Sequence, residues 1–221
     1  MKTDFHQAKW EGGLSDLSAV SLDAEHQEIF EKAVAGCAGT PVWQRRIRTE
    51  VREFVALSMV SGRIVTAMVD ARDDLRIMFE LRVPVPTLPD PDGELVVEDR
   101  ALLVLTYPEE SLFSPRPGFS FVNLLQPNHL FLANAAPSDP ALPLQGLGQA
   151  ICLGPEIAAG TPVKEIVLRT FGALTMQSVQ LDERDAAGVM NPAAAAWWLQ
   201  NRHRMPLTRE GFLEYEPSDQ S

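Results

Sequence analysis

The apolar pattern of this chain changes period just before residue 63, and that change restricts the fold more than any motif does. From about Val42 to Leu57, Trp43, Ile47, Val51, Phe54 and Val55 recur at helical spacing and make one stripe, with Arg45, Arg48 and Arg52 off it. Four later stretches read as strands rich in Val, Ile, Leu and Thr: "RIVTAMV" (63–69), "LRIMFELRV" (75–83), "RALLVLTY" (100–107) and "GFSFVNLL" (118–125). The connections are too short for a crossover helix. "DARDD" is a tight turn, and "PVPTLPDPDGE" (84–94) is a Pro-rich hairpin connection. The expectation is a four-stranded antiparallel meander.

Helical patterns flank it. Ser21-Leu22-Asp23-Ala24 opens a helix that carries Ile29, Phe30, Ala33 and Val34 and ends near Gly36. Thr161-Pro162 reads as an N-cap followed by Pro at the first helical position, ahead of Val163, Ile166, Val167, Phe171 and Leu174 on one side. Asn191-Pro192 caps "AAAAWWLQNRHR", in which Trp197 and Trp198, or one of them, are expected to pack on the core rather than form an exposed partner site. Grouped strands with segregated helices predict the α+β class.

The charge balance excludes several functions. Thirty acidic residues against nineteen basic ones leave −11, which opposes nonspecific binding to nucleic acid or to an anionic membrane. Arg45, Arg46 and Arg48 go against the trend, as a solvated helix face or as a docking face for an acidic partner. Two cysteines, Cys37 and Cys152, exclude a disulfide framework and a four-cysteine zinc site. His6, His26, His129 and His203 lack metal-ligand spacing, so no metal is expected. Without a signal-peptide pattern or an apolar run of membrane length, a cytoplasmic location is the expectation.

Past residue 126 the regular pattern stops, and a Gly- and Pro-rich stretch runs to residue 161. Long irregular connections are often functional. Cys152 sits in it, within "GQAICLGPEIAAGTP" (148–162). It reads either as a buried core thiol or as a nucleophile held at a loop. Cys37, in "GCAGTP" at a helix end, reads as a bystander. "QGLGQ" (145–149) falls short of a phosphate-binding loop, lacking the full GxGxxG pattern. A hydrolase pairing Cys152 with His129 or His203 would need a base and an orienting group.

Three motifs, in order, resemble the ubiquitin-conjugating enzyme family. "LLVLTYPEESLFSPRPGFSF" (102–121) resembles its third strand, Tyr-Pro bend and fourth strand. "ICLG" (151–154) resembles its active-site segment, and "DERDAAGVMNPAAAAWW" (182–198) its acidic loop and following helix. The resemblance covers roughly residues 42–204 and is strongest to bacterial members, which occur beside a ubiquitin-like protein, an activating enzyme and a metal-dependent deconjugating peptidase. It implies a ubiquitin-conjugating-like domain over 42–221 and an N-terminal extension with one helix over 1–41.

By the same resemblance, Cys152 accepts the C-terminus of a ubiquitin-like protein as a thioester and passes it to an amine of a protein substrate. The implied partners are that ubiquitin-like protein, an adenylating activating enzyme docking near Arg45, Arg46 and Arg48, and the substrate. No cofactor of its own is implied, since ATP and Mg²⁺ belong to the activating step. The family's His-Pro-Asn corresponds to Gln126-Pro127-Asn128, with Gln in place of His and a longer gap before the cysteine. Asn128 is therefore the implied oxyanion-loop residue, with His129 or Asn134 as substitutes. Asp185, with Asp182 behind it, is the carboxylate expected to orient the incoming amine. The alternative is an adaptor that binds a ubiquitin-like protein without thioester chemistry. Antiphage defence is the setting that the bacterial members suggest.

Overall fold

The computed structural model describes residues 14–87, 94–114, 118–139, 148–154, 157–177, 181, 189–208 and 211–213. Its elements are α1 (Ala24–Ala35), α2 (Pro41–Ser61), β1 (Ile64–Asp70), β2 (Leu75–Leu81), β3 (Val85–Thr87), β4 (Val96–Glu98), β5 (Ala101–Tyr107), β6 (Val122–Gln126), β7 (Gln149–Ile151), α3 (Val163–Leu174) and α4 (Pro192–Gln200). The class is α+β, with four α-helices among the described residues and an antiparallel sheet in the order β1-β2-β5-β6-β7. No helix among the described residues is long and apolar enough to cross a membrane.

The helix α2 is built by local chemistry at both ends. The Thr40 hydroxyl accepts the Trp43 N–H at 3.2 Å, Pro41 opens the first turn, and Gly62 stops the helix in the left-handed region at φ 63°. Its stripe of Trp43, Ile47, Val51, Phe54 and Val55 is buried. Phe54 meets Phe79 of β2 edge-on at 5.6 Å, and Trp43 stacks on Tyr107 of β5 at 6.1 Å. On the strands, Leu75, Ile77, Phe79 and Leu81 alternate inward against Ala101, Leu103 and Leu105. Before α2, Leu17, Val20, Ala33 and Val34 are buried in the same core.

Three differences from the sequence expectations have physical causes. The sheet has a fifth strand, β7, whose three residues are too few for a period-2 pattern to register. The Pro-rich connection between β2 and β5 holds a two-stranded ribbon of its own, β3 against β4. Thr161 does not cap α3. Its hydroxyl donates to Ala158 O at 2.7 Å, and Pro162 takes the cap position without a side-chain bond. The first α3 N–H, that of Val163, is taken instead by the Glu50 carboxylate of α2 at 2.6 Å. A carboxylate at a helix N-terminus meets both the orphan N–H and the helix dipole. Of the tryptophan pair, Trp198 is fully buried, its indole N–H donating to Phe131 O at 2.7 Å, and Trp197 packs partly buried against the same core.

Candidate active-site thiol

Cys152 owes its position to β7, and β7 owes its start to Gly148. Gly148 holds φ 88°, and a Cβ there would lie 2.0 Å from the Leu124 carbonyl oxygen of β6. Only glycine lets the backbone turn into the sheet so close to a neighbouring strand. Gly148→Ala is expected to destabilise the protein by at least about 2 kcal/mol in urea denaturation, from positive-φ strain plus a backbone clash with no flexible atom to yield.

Once in the sheet, β7 is flanked on both sides. On one side Val122, Asn123 and Leu124 of β6 pair with Ile151, Ala150 and Gln149. On the other, the chain that leaves β6 folds back. Ala135 bridges to Ile151, and Ala136 N–H donates to Ala150 O at 2.8 Å. The Gln149 side chain, 3 % exposed, fastens this returning segment. Its oxygen accepts the Leu130 N–H at 2.7 Å, and its nitrogen donates to Leu130 O at 3.1 Å and Ala136 O at 2.6 Å. A buried amide with three partners anchors a loop firmly, at about 1 kcal/mol net for each bond.

Cys152 is the first residue past β7. Its N–H donates to Asn134 O at 2.7 Å, which fixes the backbone, while the side chain is partly exposed. Sγ faces Gly154 O at 3.8 Å. Gly154 itself has φ 113°, and a Cβ built on it would meet nothing within 4 Å among the described residues. Asn134 is 3 % exposed. Its Nδ2 donates to Cys152 O at 3.4 Å, and its Oδ1 is buried with no hydrogen-bond partner among the described residues. Backbone and side chain of one asparagine therefore both touch the cysteine's peptide units.

Two further anchors surround this point. Ala133 O, one residue before Asn134, accepts the N–H groups of Met190 and Asn191 at 2.8 and 2.9 Å, so the start of α4 docks beside the thiol segment. Downstream, Gly160 is held twice: its N–H donates to Ser111 O at 2.9 Å, and its carbonyl accepts from Arg46 Nη2 at 2.7 Å. Arg46 also pairs with Glu50, which is 2 % exposed. The three-arginine cluster is thus divided. Arg45 and Arg48 are exposed on α2, while Arg46 turns inward.

The other candidates fall in different places. Asn128 is exposed in the turn after β6. The β6–β7 register sets Ile151 against Val122, so Cys152 emerges at the beginning of β6 and Asn128 follows its end. The structure brings Asn134, not Asn128, to the cysteine. His129 is half-buried beside Asn128, and His203 is exposed in the short turn after α4. Among the described residues no histidine hydrogen-bonds Sγ of Cys152. Asp182 and Asp185 lie outside the described residues. Cys37 is partly exposed at the end of α1, and burial pushes its thiol up, against a smaller opposing pull from Arg48.

No motif in the sequence singles out Gln149 or Glu50, and Arg46 reads there only as part of a docking face with Arg45 and Arg48. One signal existed for Glu50: it stands at helical spacing with Trp43, Ile47 and Phe54, on the apolar stripe itself. No protein-family model, curated protein or solved structure matches this chain.

Proposed function

We propose that this protein is a ubiquitin-conjugating-like carrier, with Cys152 as its thioester residue. The observation that supports this best is a partly exposed thiol on a backbone fixed by hydrogen bonds to a neighbouring segment. A carrier thiol must be reached in turn by two large partners, and it must offer both the same geometry. The thiolate of Cys152 attacks the thioester carbonyl brought by an activating enzyme. A new C–S bond forms, and the activating enzyme's thiolate leaves. An amine of the protein substrate then attacks the Cys152 thioester. The C–N bond forms, the C–S bond breaks, and the amine gives up a proton, for which Asp185 is the candidate acceptor. ATP and Mg²⁺ are consumed earlier, by the activating enzyme.

In this reading Asn134 takes the supporting role that the motif resemblance assigned to Asn128, because its amide touches the Cys152 peptide. Asn134→Ala is expected to slow discharge of a preformed thioester onto free lysine by up to about 10²-fold, as a shift of the reacting atom by about 1 Å does. Asn128→Ala should stay within about twofold, as a solvated turn residue does. Single-turnover discharge separates this from any effect on loading.

The founding test mixes the protein with a bacterial ubiquitin-like protein, its activating enzyme and ATP, and reads a non-reducing gel. An adduct that needs ATP and disappears with a thiol reductant is the expected result. A charged activating enzyme with no such adduct favours the adaptor. Cleavage of a conjugate without ATP favours a hydrolase.

A further inference from the structure

Arg46 and Glu50 stand one turn apart on the flank of α2 that faces the thiol loop rather than solvent, and each reaches a different point beyond Cys152. Arg46 Nη2 donates to Gly160 O at 2.7 Å, and Glu50 accepts the N–H of Val163, the first residue of α3, at 2.6 Å. The two are paired with each other, so neither contact is independent of the other. Upstream, the loop is fixed where Cys152 N–H meets Asn134 O. Cys152 is therefore fixed to the sheet, and Gly160, further along the chain, is fixed to α2. We infer that Arg46 is a positioning residue for Cys152, holding the exit of the thiol loop at Gly160 while Glu50 holds Arg46 and the start of α3.

The effect on the thiol's position stands without any assumption about chemistry, while the effect on transfer rests on the thioester reading above. A guanidinium suits the task. Its planar fork serves a carboxylate and a backbone carbonyl together, which an ammonium on a flexible stem does less well. The same helix turn then has two faces: Arg45 and Arg48 open to solvent, and Arg46 gripping the loop. Displacing a reacting atom by about 1 Å can cost about 10²-fold in rate, so a grip at the loop's exit matters even without touching the thiol.

The test uses the full chain carrying Cys37→Ala, so that iodoacetamide reports on Cys152 alone. Arg46→Met is compared with Arg52→Met. Arg52 is on the same helix and donates to Val20 O at 2.6 Å, away from the thiol loop. In Arg46→Met the alkylation rate is expected to change by at least about fivefold, and single-turnover transfer to fall about tenfold. Arg52→Met should leave both within about twofold at whatever loss of Tm it brings. If Met at position 46 prevents folding, Arg46→Lys serves, with a smaller change in the same direction. Equal changes in the Arg46 and Arg52 variants, or an unchanged alkylation rate in Arg46→Met, would overturn the proposal. An altered alkylation rate in a protein that forms no adduct with any charged activating enzyme would keep the positioning role and remove the thioester reading.

Discussion

Cys152→Ala is expected to abolish the thiol-sensitive adduct completely while leaving the fold in place. The side chain is partly exposed, and its one hydrogen-bond contact is a weak one to Gly154 O at 3.8 Å. Removing it should cost less than about 1 kcal/mol. The β7 backbone bonds, Cys152 N–H to Asn134 O included, do not depend on the sulfur. Cys152→Ser should give, at most, an adduct that survives reductant, because an oxygen ester is not cleaved by thiol exchange. Cys37→Ala should charge like wild type, since burial holds the Cys37 thiol above its ordinary range and starves it of thiolate at neutral pH. Charging of Cys152→Ala at the wild-type rate would remove Cys152 from the chemistry.

Glu50→Ala carries the largest expected loss of stability. The Glu50 carboxylate is buried, is paired with Arg46, and takes the first N–H of α3. Deleting Glu50 leaves the Val163 N–H without its acceptor and the half-buried Arg46 without its carboxylate, at a cost of roughly 2–4 kcal/mol. In a chain of this size that lowers Tm by roughly 10 °C. Glu50→Gln should be milder, since an amide oxygen still accepts the Val163 N–H. The pH dependence has a definite sign. Burial raises the Glu50 carboxyl above its ordinary 4.5, against the lowering effects of the Val163 N–H and Arg46. A raised acid contributes stability that is fully present below its unfolded value and is lost as pH rises through its folded value. The Tm advantage of wild type over Glu50→Gln should therefore be largest below the ordinary carboxyl range and shrink as pH rises through the raised value. An advantage that grows with pH would mean that the ion pair with Arg46 outweighs burial.

The helices and long strands were legible because each carries its own period. The α2 stripe, the alternation of β2 and β5 and the apolar side of α3 follow from residues a few places apart. The site depended on contacts that no window contains. Gln149 bonds to Leu130 and Ala136, Asn134 to Cys152, Arg46 to Gly160 and Glu50 to Val163. Asn128 attracted the oxyanion role through its neighbours in sequence, Pro127 above all. Asn134, in "LANAAP", has no such neighbours and reaches the cysteine only because the chain folds back beside β7. Arg46 looked like part of a basic face because two more arginines flank it within two residues. The direction of a helix flank is set by packing, and Glu50 on the stripe was the clue.

The return of the chain beside β7 has a consequence for how this segment can vary. Ala136 N–H meets Ala150 O at 2.8 Å, and the Gln149 amide closes on Ala136 O at 2.6 Å, so positions 136 and 149 are fastened together at a single stitch. A longer excursion from that stitch adds only closure entropy, about 0.6 kcal/mol for each doubling of length. One residue added between Gly148 and Cys152 would instead turn the thiol to the other face of the sheet. Length is free on one side of the stitch and frozen on the other.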